Sequence, residues 1–146
     1  MRQCPTRHLV LVGISNPWST DSKDILSPVK PNCTGSNLLK ILQFVDPSYT
    51  AEKFYEDFPE RVNLYDVGAD YLSSRKIPSD IVAFGKMVGA ALANIPGGRV
   101  KPLSSVKRGI HIIHFIPHPS GLNRWYNSDD NKRAAGSYLL NLVRSK

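Results

Sequence analysis

Pro117-His118-Pro119-Ser120-Gly121-Leu122-Asn123-Arg124-Trp125 brings an imidazole, a hydroxyl, an amide and a guanidinium together in nine residues. Such a set can hold an anion or polarise a carbonyl. Two prolines stiffen its start, and the backbone amides around Ser120 and Gly121 are free to donate. The segment follows an apolar run, Ile110-His111-Ile112-Ile113-His114-Phe115-Ile116, that reads as a strand. Groups at the carboxyl end of a strand are where open α/β sheets bind ligands.

A second group stands near the start of the chain. His8-Leu9-Val10-Leu11-Val12 reads as another apolar strand and runs into Gly13-Ile14-Ser15-Asn16-Pro17-Trp18. Downstream, Thr34 or Ser36 can cap a helix. Asn63 lies inside an extended run, Arg61 to Asp66, with one acceptor and two donors on its amide. It can therefore pair with a carbonyl and an imide at once. His114 sits four residues before His118, on the same face of an ideal strand, and of His111 and His114 one reads as a satisfied core or rim histidine. Extended spacing without a nearby carboxylate or cysteine pattern is a poor zinc signature, and no metal is expected.

These segments together resemble the uracil-DNA glycosylase superfamily, over about Leu9 to Trp125. That family has a strand-Gly-x-(Asp/Asn)-Pro first motif and a late strand-(His/Asn)-Pro-Ser second motif. Here two residues, not one, separate Gly13 from Asn16-Pro17. The resemblance implies that His118 donates to a pyrimidine carbonyl and stabilises the departing base. It implies that Asn16 positions the attacking water, with Ser15, Asp21 or Asp24 as alternatives for that corner. Trp18, Asn63 and Ser120 would hold the base. Leu122 would be the wedge that replaces a flipped nucleotide, with Asn123 and Arg124 beside it.

The elements that must position these groups alternate along the chain. Strands are expected at about 8–13, 61–65, 80–84 and 110–116. Helices are expected at about 36–45, 86–94 and 129–144, with one or two helical turns within 47–60. The stretch between the first strand and first helix carries Pro17, Pro28, Pro31 and Gly35 and reads as a long loop. A loop of that length is more often functional than idle. Strands separated by helices predict a parallel sheet with covered faces. The expected fold is α/β: a three-layer αβα domain around a central, mostly parallel four-stranded sheet, with residues 1–146 as one domain.

Composition narrows the function. A hydrophobic fraction of 41% and a charged fraction of 21% are those of an ordinary globular protein. No apolar run approaches the roughly 20 residues of a membrane span, and no secretory signal is readable at the start. The expectation is a cytoplasmic or nucleoid-associated monomer. Cys4 and Cys33 are too few for a disulfide framework. They are also too few for an iron–sulfur cluster, so no cofactor is expected. The 19 basic and 12 acidic residues give a net charge of +7, which favours phosphate-rich partners. Lys101, Lys107 and Arg108 precede the last strand, and Arg124, Lys132 and Arg133 follow it. Lys107, Arg108, Arg124 and Arg133 are the expected DNA contacts. The function expected is a DNA glycosylase acting on uracil or a modified pyrimidine in single- or double-stranded DNA. A nucleoside- or nucleotide-processing enzyme and a non-catalytic nucleic-acid-binding module remain as alternatives.

Overall fold

The computed structural model describes residues 7–13, 25–29, 34–68, 70–94, 100–119 and 123–144. Five strands form one sheet: β1 (His8–Gly13), β2 (Glu60–Asn63), β3 (Ser79–Phe84), β4 (Ser104–Arg108) and β5 (His111–Ile116). Their order is β2-β1-β3-β5-β4. All neighbours are parallel except β4, which runs antiparallel to β5. All six residues of β3, and five of six in β1 and in β5, are buried. That burial on both faces is why these strands are near-continuous apolar runs.

The fifth strand corrects the expected count of four. Ser104-Ser105-Val106-Lys107-Arg108 has one apolar residue and no buried one. As an exposed edge strand it needs no hydrophobic alternation, and its lysine and arginine discourage further pairing. The turn back into β5 is made at Gly109, at φ 60°.

The helices are α1 (Thr34–Val45), α2 (Ala51–Asp57), α3 (Leu64–Val67), α4 (Tyr71–Ser74), α5 (Lys86–Ala93) and α6 (Asp129–Arg144), with a 3-10 turn at Arg124–Asn127. Alternation along β1 divides the core. Leu9 and Leu11 pack with Leu38 and Leu42 of α1, Phe54 of α2 and Leu139 of α6. Val10 and Val12 pack with Ile81, Ile113 and Val88 and Leu92 of α5. Full burial of each such side chain stabilises the fold by about 1.5–3 kcal/mol. No described helix is long and apolar enough to cross a membrane.

Both strand histidines of β5 are structural. The Nε2 of His114 lies 2.9 Å from Asp80 Oδ1, and its Nδ1 lies 2.6 Å from the Tyr138 hydroxyl. With Nε2–H donating to the carboxylate, Nδ1 accepts from the tyrosine. This chain ties α6 to the middle of the sheet. Asp80 also meets Arg7 at 3.4 Å. On the other face, His111 Nε2 lies 3.2 Å from the Leu72 carbonyl and 3.1 Å from that of Arg75. Two acceptors at one nitrogen place the proton there, and His111 thereby anchors α4.

Candidate functional site

The parallel strands end together, so Gly13, Asn63, Gly85 and His118 stand at one edge of the sheet. From β1 the chain goes on to α1 and α2, which pack on one face. From β3 it goes on to α5, which packs on the other. Connections that leave neighbouring strands on opposite faces open a crevice between the strand ends. The two motif loops therefore start at the same edge, on either side of β3.

His118 sits two residues beyond β5, against Gly85. Gly85 has φ 94°, a conformation that a side chain would strain. A Cβ on it would stand 3.4 Å from His118 Cβ and 3.7 Å from Cδ2, so glycine makes room for the imidazole. The Gly85 amide donates to the Ile116 carbonyl at 2.9 Å and closes the ends of β3 and β5 together.

The loop backbone is held from below. The Tyr126 hydroxyl donates to the Pro117 carbonyl at 2.6 Å. Burial raises the Tyr126 pKa far beyond the working range, so it remains a donor. The Asn123 side-chain amide donates to the His118 carbonyl at 2.8 Å, and its oxygen accepts from the Trp125 amide at 3.1 Å. The imidazole itself is half-buried and has no hydrogen-bond partner among the described residues. Burial lowers its pKa below the usual 6.5 and keeps it neutral at physiological pH. It faces a cleft of about 530 Å³ whose walls include Gly85, Lys86, Val100, Phe115 and Trp125. Trp125 packs edge-on against Tyr126, with centroids 4.9 Å apart. A neutral ring N–H, an aromatic wall and an exposed lysine at the rim can bind a planar, electron-rich group and stabilise charge arriving on it.

The other sequence-derived candidates divide. Asn63 is 3% exposed and pairs with Gly13 in register. Its amide nitrogen lies 3.3 Å from Asp66 Oδ2. It shares the edge with His118 but not the cleft, because β1 and β3 stand between them. Asn16, Trp18, Ser120 and Leu122, with the alternatives Ser15, Asp21 and Asp24, lie outside the described residues. Asn123, expected at DNA, has both ends of its amide engaged within the loop. Arg124 is exposed on the 3-10 turn. Arg133 lies on α6 with its guanidinium 5.4 Å from the Phe44 ring centroid and 3.5 Å from Asp130.

Lys107 and Arg108 require a correction. Sequence proximity to β5 put them beside the site, but the antiparallel course of β4 carries them to the opposite edge. Lys107 faces Ile112 and Arg108 faces His111, roughly 20 Å of strand from His118. Arg108 there donates to the Ala93 carbonyl at 2.8 Å and closes the end of α5.

The sequence missed Gly85, Lys86 and Tyr126, and gave Trp125 no role. A glycine ending an apolar strand was the available signal for Gly85. Nothing local marks the tyrosine whose hydroxyl reaches back nine residues. No family model, no curated protein and no solved structure matches this chain.

Proposed function

We propose that the protein is a DNA glycosylase that hydrolyses the N-glycosidic bond of uracil or a modified pyrimidine in DNA. The observation that carries this reading is His118: its ring has no hydrogen-bond partner among the described residues, burial lowers its pKa, and its backbone is fixed beside an aromatic-walled cleft. A base leaving its sugar takes the bonding electrons, and negative charge gathers on its carbonyl oxygen. A neutral imidazole N–H can meet that charge without first losing a proton to solvent. Water adds to the sugar carbon as the carbon–nitrogen bond breaks, the bonding electrons leave with the base, and the proton released by the water passes through solvent to the departing base anion. The resemblance assigns orientation of that water to Asn16. Helices on both sheet faces and the parallel order β2-β1-β3-β5 accord with the three-layer αβα arrangement of the resembling family. The substrate is single- or double-stranded DNA, with the target nucleotide flipped out of the stack, and the protein acts as a monomer without a cofactor.

Uracil-containing single-stranded and duplex oligonucleotides test this, with alkali-labile sites as the readout. His118→Ala should lower the single-turnover rate by about 2–4 kcal/mol of transition-state stabilisation, while oligonucleotide affinity stays close to wild type. Equal losses in rate and affinity would reduce His118 to a ligand-holding role. Absence of abasic product from the wild type, with base release from free nucleotides, would move the activity to nucleotide processing. Binding without any release would leave a nucleic-acid-binding module.

A further inference from the structure

A second cleft adjoins the first. It has a volume of about 360 Å³ and lies between α1 and the 3-10 turn, with Lys40, Phe44, Pro119, Asn123, Asn127 and Lys132 among its walls. Asn123 lines both clefts, with His118 in the wall of the first and Pro119 in that of the second. Asn37, Lys40, Ile41 and Phe44 follow the spacing that places residues on one helix face. Phe44 is 37% exposed and belongs to none of the three buried apolar clusters. Its ring instead has Lys132 Nζ at 5.6 Å and the Arg133 guanidinium at 5.4 Å from its centroid.

No acidic side chain is among the described residues lining this cleft. Lys132 meets Asp129 at 3.9 Å and Arg133 meets Asp130 at 3.5 Å, but both aspartates are mostly exposed. Such surface pairs are weak and exchange readily for a better anion. An exposed ring flanked by cations is the arrangement that takes the flat face of a base while its phosphates meet the charges.

We propose that this cleft seats the nucleotide next to the one bound at His118, with its base on Phe44 and the adjoining phosphates on Lys40 and Lys132. The proposal rests on the reading of DNA as substrate, and it names the path of the strand. Phe44 and the two lysines are binding residues that take no part in bond cleavage.

The probe is a fluorescent single-stranded oligothymidylate without uracil, titrated into the full chain over a salt series. Phe44→Leu keeps apolar bulk but removes the ring. It should weaken binding roughly tenfold, as loss of one stacked base implies, without changing the salt slope. Phe44→Trp should restore affinity. The double variant Lys40→Gln, Lys132→Gln changes only exposed or half-exposed side chains, and should flatten the salt slope by about 1.4, from two single-strand phosphate contacts.

Unchanged affinity in Phe44→Leu together with an unchanged slope in the lysine variant would overturn the proposal, even with uracil excision intact. Equal affinity of the wild type for polyglutamate would also overturn it, as the mark of a general acidic-partner surface. Loss of oligothymidylate affinity in these variants, in a protein that excises nothing, would uphold the strand path and reject the glycosylase reading.

Discussion

Among the described residues, His118 is restrained by its backbone and its ring nitrogens have no partner. Its carbonyl is taken by Asn123, the preceding carbonyl by Tyr126, and its ring lies over Gly85. The backbone is positioned while the ring faces the cleft. Burial of the ring has a consequence for stability. The imidazole has a folded pKa below the usual 6.5, so the unfolded chain binds more protons between the two values. The contribution of neutral His118 is fully present above about pH 6.5 and is lost as pH falls through the unfolded and then the folded pKa. Urea unfolding at pH 8 and pH 5 should show this. Wild type should lose more stability between the two pH values than His118→Ala does, and an identical pH dependence would contradict the buried neutral ring.

At the scale of elements, the pairing of α1 with α6 shapes the cleft around Phe44. These helices approach closely at Gly136. A Cβ there would stand 2.6 Å from Val45 Cγ2 and 2.8 Å from the Ile41 carbonyl oxygen. Two effects oppose each other in Gly136→Ala. Alanine gains up to about 1 kcal/mol in helix propensity, while overpacking against a backbone oxygen costs about 1–3 kcal/mol. The carbonyl cannot rotate out of the way inside its helix, so the clash should prevail. The expected result is a net loss of up to about 2 kcal/mol in urea unfolding, with oligothymidylate affinity also reduced because α1 carries Lys40 and Phe44. A stabilised variant would mean that the helices can separate without cost.

Across the whole molecule, the net charge of +7 is distributed over both edges of the sheet. Arg124, Lys86, Lys40 and Lys132 lie around the two clefts at or beside the carboxyl edge. Lys107 and Arg108 lie at the amino edge. A strand bound at the carboxyl edge should therefore distinguish two substitutions that are equal in charge. Arg124→Gln should lower oligonucleotide affinity and reduce the salt slope by about 0.7 on single strands. Lys107→Gln, on an exposed edge strand, should change neither. Equivalent effects from the two would indicate attraction by net charge alone.

Much of this architecture is legible along the chain, for a local reason. Strands buried on both faces must be apolar throughout, which marks β1, β3 and β5. The last helix shows from its amphipathic period, and Gly85 marks the end of β3. The Pro117–Trp125 segment stands out because polar, flexible and rigid residues follow directly on a buried strand. What escaped the sequence depends on distant partners. β4 is an edge strand whose pairing comes from β5, not from its own pattern. His114 and His118 share one strand and its loop and look alike in sequence. His114 finds Asp80 and Tyr138, whereas His118 finds a glycine and an open cleft. Lys107 and Arg124 likewise flank the same strand, and the direction of one hairpin sends them to opposite edges. Burial leaves its mark on each residue locally. Pairing across the sheet exists only once the strands have taken their order and direction, and that decided which histidine meets a cleft and which cations surround it.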